Sequence, residues 1–299
     1  MLARRRGAAG ADGQEAKPMR IASTMAALGC AIALSACAGG PGHQGVERAS
    51  LSVLTDGDID ALMMTSGDPE TAVAHFARSA EAEPARVDLR RGLALSLERT
   101  GDHEGAAGAW DEVVASGRAT AEDRTHRAAA LVRLSRWAEA RAALDAIPPT
   151  HETYERYRLE AILADVDEQW DRADSFYETA AGLTDTPAGV LNNWGYSKLS
   201  RGDHAGAERL FARALSEEPD LFTAKNNLVL ARGARRDYAL PAVRMTQVER
   251  AQLLHTAALA AIKQGDVAIG RGLLYDALAS HPQHFEPAAS AIAALGAPV

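Results

Sequence analysis

Five polar residues recur at one place in successive stretches of this chain: Arg91, Thr125, Arg158, Asn192 and Asn226, each a nearly constant step after the last. Asn193, Tyr196 and Asn227 stand beside them. Hydroxyls and amides both donate and accept, and guanidinium groups donate, so a row of such side chains can hold the backbone of an extended or helical partner segment. The competing reading is a row of solvated polar residues. Other candidates are weaker. Asp165, Asp167 and Glu168 cluster ahead of Trp170, where helix-end solvation accounts for them without a catalytic pair. His281-Pro282-Gln283-His284 has metal-ligand spacing, but a helix-breaking proline lies inside it and no Cys or close carboxylate joins it. Trp110, Trp137, Trp170 and Trp194 read as packing residues rather than cofactor stackers. The chain has no Gly-rich phosphate loop, nucleophile elbow or zinc-protease helix. The residues point to a binding protein, not an enzyme, with no cofactor and no metal.

What positions the polar row is a second periodicity. Ala72, Ala106, Ala140, Ala173 and Ala207 recur with the same step, shorter by one between Ala140 and Ala173. Each is followed one helical turn later by a bulky residue: Phe76, Trp110, Leu144, Tyr177 or Phe211. Gly67-Asp68, Gly101-Asp102, Gly202-Asp203 and Gly265-Asp266 stand ahead of several copies, and Pro84, Pro219 and Pro282 close others. A small residue lets two helices approach, and the bulky one fills the next gap. The period of about 34 residues and this pattern resemble the tetratricopeptide repeat, a helix–turn–helix unit. The resemblance implies an all-α superhelical solenoid of antiparallel helix pairs, with the polar row at the fifth position of each first helix, on the concave groove. Each repeat then buries its face on its neighbours. The row has too few lysines to match the lysine–asparagine clamp that some such repeats use for a C-terminal carboxylate.

The first residues read as a targeting segment. Arg4, Arg5, Arg6, Lys17 and Arg20 flank a largely apolar stretch, Ile21–Ala36. That is short of the ~20 residues a spanning helix needs. Leu34-Ser35-Ala36-Cys37 resembles the lipobox of bacterial lipoproteins, which implies cleavage before Cys37 and lipidation of its thiol. Several acyl chains, at ~0.8 kcal/mol per buried CH₂, anchor stably. Translation begins at Met1 or at Met19, whose following run already makes a compact signal. Cleavage takes five basic and two acidic residues from the 32 and 40 of the chain, leaving 27 against 38 and a formal charge of −11. The whole chain, at −8, already argues against a nucleic-acid footprint. With Cys30 gone, no disulfide can form. Ala38 rather than Asp after the cysteine favours the outer membrane, facing the periplasm.

Along the chain we expect a signal peptide at 1–36, a lipidated Gly-rich tether at 37–50, the repeat array at 51–233, an interrupting loop or hinge at 234–246 and a last unit with capping helix at 247–299. Ile59–Ser66 is a short first helix, and later repeats run over 87–118, 121–150, 154–186 and 188–219. Asn226-Asn227-Leu228 echoes Asn192-Asn193-Trp194, after which Pro241 replaces the packing alanine. A proline in a helix interior costs ~3 kcal/mol. The step from Ala207 to Gly270 falls short of two full periods, so the interruption shortened the chain. The lipobox, the degenerate array, its interruption, and Leu240-Pro241, Met245-Thr246, Leu253-Leu254-His255, Gln264-Gly265-Asp266 and His281–Phe285 resemble the TadD-like lipoproteins of tight-adherence (Flp) pilus assembly. That resemblance implies an outer-membrane scaffold that binds the pilus secretin or another pilus component. The alternative is a general periplasmic adaptor for envelope protein assembly or maturation. A peptidoglycan-directed enzyme or its regulator is a third reading.

Overall fold

The computed structural model describes residues 56–65 and 67–296. The signal peptide, Cys37 and the tether lie outside the described residues. Within them the chain is all-α. Its helices are α1 (Asp56–Thr65), α2 (Pro69–Ala82), α3 (Val87–Thr100), α4 (His103–Ala115), α5 (Ala121–Arg133), α6 (Trp137–Asp145) and α7 (Tyr154–Val166). They continue as α8 (Trp170–Gly182), α9 (Ala188–Ser200), α10 (His204–Glu217), α11 (Phe222–Ala234), α12 (Gln247–Lys263), α13 (Val267–Ser280) and α14 (Glu286–Ala294). Each helix packs chiefly on the one before and after it, while α5 meets α7, α9 meets α11 and α11 meets α12 across one layer.

The alanine–bulky periodicity makes this stacking possible. Ala72, Ala106, Ala140, Ala173 and Ala207 are completely buried, and Phe76, Trp110, Leu144, Tyr177 and Phe211 nearly so. Methyl-sized contacts on one helix admit the ring or branched chain of the next, the packing of an interior. The core is accordingly a chain of clusters running along the stack, rather than one central mass.

The turns between paired helices share one geometry. Amide N–H groups of Asp102, Arg136, Gln169, Asp203, Asp237 and Asp266 donate back to carbonyls of Leu97, Leu131, Ala164, Lys198, Arg232 and Ala261. That closure requires a left-handed residue just before each donor. Gly101, Gly202 and Gly265 supply it freely, whereas Ser135, Glu168 and Arg236 hold φ near +60° with a side chain. Asp68, Asp102 and Asp203 then cap the next helix through their carboxylates. A left-handed L-residue costs about 1–2 kcal/mol, and glycine gives back about 0.4–1 kcal/mol through unfolded-chain freedom. Ser135→Gly and Glu168→Gly are each expected to raise stability by about 0.5–1 kcal/mol. Denaturant midpoints check this; unchanged or lower midpoints would mean that these turns carry no strain.

Residues 235–246 form no helix, so α11 has no second helix to pair with. The stretch expected as a loop or hinge is fastened on both sides. Arg236 and Tyr238 bond to Asp266 at 2.9 and 2.6 Å, which is why Asp266 does not cap α13 as its counterparts cap their helices. Pro241 is buried. Leu240 and Met245 pack with Val229, Leu253 and Ala257. A Cβ on Gly233 would stand 2.7 Å from that of Ala260, so the α11 backbone lies directly against the Ala260 methyl of α12. These contacts oppose hinge motion.

Candidate functional site

The first helices of the pairs present a common wall. The fifth residue of α3, α5, α7, α9 and α11 is Arg91, Thr125, Arg158, Asn192 and Asn226, as the spacing predicts. One helical turn further on, on the same face, stands an apolar row: Leu95, Ala129, Ile162, Tyr196 and Leu230. Every member of both rows lines a cavity. One of about 590 Å³ lies over α5 and α7, one of about 560 Å³ over α7, α9 and α11, and one of about 630 Å³ over α9, α11 and α12. Ala129, Arg133 and Arg158 belong to the first and second, and Tyr196, Ser200 and Asn226 to the second and third. The three are one groove, and it crosses the interruption in the repeats. Val166, Tyr196 and Leu259 expose apolar surface into it.

The residues read from the sequence do not all offer free groups. Arg91 lies apart, in a smaller cavity over α1 and α3. Its guanidinium is engaged by both oxygens of Asp123 at 2.9 and 3.0 Å and by the Arg118 carbonyl at 2.8 Å. Burial pushes Asp123 up, but Arg91 and the Thr120 amide outweigh it and hold the carboxyl below the ordinary range. Arg91 therefore joins α3 to the N-terminus of α5. Thr125 is buried and donates to the Ala121 carbonyl of its own helix. Asn192 accepts from Asn227 at 3.1 Å, and Asn226 accepts from Thr256 at 2.8 Å, so these amides link neighbouring rungs and retain further donors and acceptors. Asn193 and Tyr196 line the second cavity, and Tyr196 is 58% exposed. Arg158 lines both the first and second cavities. Burial, then the charge of Arg133, pushes its guanidinium below the usual value.

Sequence reasoning missed Arg133, Thr256, Leu259 and all of the apolar row except Tyr196. It also missed the second cavity's base, where Asp165 accepts from Ser197 at 2.6 Å and Tyr177 at 2.9 Å. Burial drives the Asp165 carboxyl up against those two bonds. The apolar row was available as the residue one turn after each polar one. The Asp165 contacts cross repeats and leave no local pattern. Its neighbours go elsewhere: Asp167 pairs with Arg141 at 2.7 Å, and Glu168 forms the left-handed turn. His281 and His284 also separate, His281 bonding around Gln283 and stacking on Phe285, His284 reaching Glu286. Among the described residues no group of three His, Cys, Asp or Glu side chains could hold a metal ion. None of their helices is long and apolar enough to cross a membrane.

The model of the family described as "Tetratricopeptide repeat" matches residues 64–124. The fold is a tetratricopeptide-repeat solenoid. Solved structures extend the likeness over most of the described residues. The APC/C hetero-tetramer Cut9-Hcn1 aligns with a TM-score of 0.57 at 13% identity, over 78% of this chain and 47% of that one. This chain therefore spans about half the length of that relative. A tetratricopeptide repeat protein from Parabacteroides merdae aligns with a TM-score of 0.55 at 14% identity, over 79% and 95%. PilW, described as a widely conserved type IV pilus biogenesis factor, aligns with a TM-score of 0.54 at 15% identity, over 78% and 95%. Identities this low speak for the fold alone. No curated protein matches in sequence. Tetratricopeptide-repeat arrays are scaffolds for protein–protein interaction, and the groove has the form for it.

Proposed function

We propose that this protein is an outer-membrane-anchored, periplasm-facing scaffold lipoprotein that supports assembly of the Flp (Tad) pilus apparatus. Its groove holds a segment of the secretin or of another pilus component. The observation that carries the reading is the continuous groove over α5 to α12, floored by paired polar and apolar rows. Amides such as Asn192, Asn193 and Asn226 suit partner backbone, and Ile162 and Tyr196 suit partner side chains. Leu34–Cys37 supports the anchor, and the C-terminal motifs around Pro241 and His281 support the pilus family. The likeness to PilW agrees with a pilus role but bears on the fold only.

The test is a crosslinking pull-down from intact membranes with the tagged protein and a Cys37→Ala control. The expected result is recovery of a secretin with the wild type and less with the control. Recovery of other envelope machinery without secretin keeps the scaffold, selects the general adaptor and discards the pilus role. Unchanged surface piliation in a deletion strain that still makes pilin would also discard it.

A further inference from the structure

The middle of the groove holds two arginines that no hydrogen bond or ion pair commits to the fold. Arg133, in the last turn of α5, and Arg158, in the second turn of α7, line the wall shared by the first and second cavities. Among the described residues neither guanidinium donates a hydrogen bond or forms an ion pair. Other arginines of the same layer are committed: Arg91 to Asp123, Arg127 to Asp111, Arg232 to Glu208. Nearby carboxylates are spoken for as well. Glu98 bonds Trp110 and His126, and Asp165 bonds Ser197 and Tyr177; Glu155, three residues before Arg158 on α7, attracts its charge without forming an ion pair. Glu122 lines the first cavity but pairs with neither arginine. This happens in a chain with 40 acidic residues against 32 basic ones, where unclaimed carboxylates are plentiful. Arg133 is exposed and Arg158 half-buried beside it, and burial with the charge of Arg133 outweighs the attraction of Glu155, so the Arg158 guanidinium gains from an arriving anion. A carboxylate is the natural match, since each guanidinium can offer it two parallel N–H donors.

We infer that the groove selects a segment with an aspartate or glutamate side chain in its interior, seated at Arg133 and Arg158, with an apolar residue beside it against Ile162 and Tyr196. This rests on the groove being the partner site. The acid belongs to an internal residue rather than a chain end because the groove runs on past the arginines in both directions. It continues toward His103 and His151 on one side and toward Asn226 and Leu259 on the other. The asparagine amides there hold passing backbone.

The experiment uses the full chain in detergent and a random peptide library made in two sets, one C-terminally amidated and one free acid. Wild-type protein is expected to enrich an internal Asp or Glu in both sets. Arg133→Gln/Arg158→Gln is expected to bind the selected peptides about 10- to 100-fold more weakly, the worth of a charged hydrogen bond, and to lose the acidic preference. Its melting temperature is expected to stay at or above that of wild type, as it would not if Arg158 were structural. Enrichment confined to the free-acid set would overturn the internal residue in favour of a terminal carboxylate. Tyr196→Asp-sensitive binding without acidic preference would overturn this inference and leave the groove reading standing. Selected peptides indifferent to Tyr196→Asp would remove both.

Discussion

Phe211→Ala is expected to lower stability by about 3–5 kcal/mol, the usual loss for truncating a buried phenylalanine. The ring is completely buried among Leu191, Leu210, Ala214 and Leu228, in the cluster that joins α9, α10 and α11. Its position depends on a residue with no side chain: a Cβ on Gly195 would stand 2.6 Å from Cε1 of Phe211. Gly92 stands in the same relation to Phe76, at 2.5 Å. Gly195→Val therefore forces ring or helix to move, an overpacking cost of about 1–3 kcal/mol. The two sites share one space, so they are expected not to add. Gly195→Ala with Phe211→Leu should cost less than the single changes together. Denaturant unfolding followed by circular dichroism measures all of these. Additive losses would mean that α9 and α10 do not approach this closely.

Glu249→Ala is the second large effect, expected at about 3–5 kcal/mol. Lys225 on α11 is almost entirely buried, and its Nζ donates to Glu249 on α12 at 3.0 Å. Removing the carboxylate leaves the buried cation with only the exposed Asp220, 3.9 Å away. It also opens the capping box in which Thr246 and Glu249 exchange bonds at the start of α12. Lys225→Met removes the cation instead, and is expected to be neutral or stabilising. A loss of several kcal/mol from Lys225→Met would show that the pair itself stabilises the fold. The pH dependence has a definite sign. The Thr246 amide and then Lys225 hold the Glu249 carboxyl below the ordinary glutamate range. Its contribution is therefore complete above the unfolded glutamate value and fades as pH falls through the lower folded one. Glu249→Gln should flatten that part of the stability–pH curve.

The repeat geometry was legible because it is local. Ala72 to Ala207 and their bulky followers announce themselves by spacing alone, and the fifth-position row falls on the predicted faces. What the sequence hides is what a side chain meets across repeats. Arg91 and Arg158 occupy the same register two repeats apart. One is taken up by Asp123 and the other is left facing the groove. No spacing rule separates them, because the difference lies in a neighbour on the first helix of the next pair. Ser135 and Glu168 hid two turns, since the expected glycine is absent while the backbone still adopts the left-handed corner. Lys225 did leave a signal. It stands one full repeat after the buried Leu191, so a charge occupies a core register, and such a charge needs a partner nearby.

The fastened loop at 235–246 separates two things that usually go together in a repeat array, the order of the units and their adhesion. The last unit is held to α11 by Lys225–Glu249, Asn226–Thr256, Gly233 against Ala260 and the grip of Arg236 and Tyr238 on Asp266. None of these needs Arg244, which is exposed and away from the groove lining, between Val243 and Met245, which pack on the clusters of α11. That short run is a natural port: an affinity module or a fluorescent label can enter the chain there while the wall that faces a partner keeps its register.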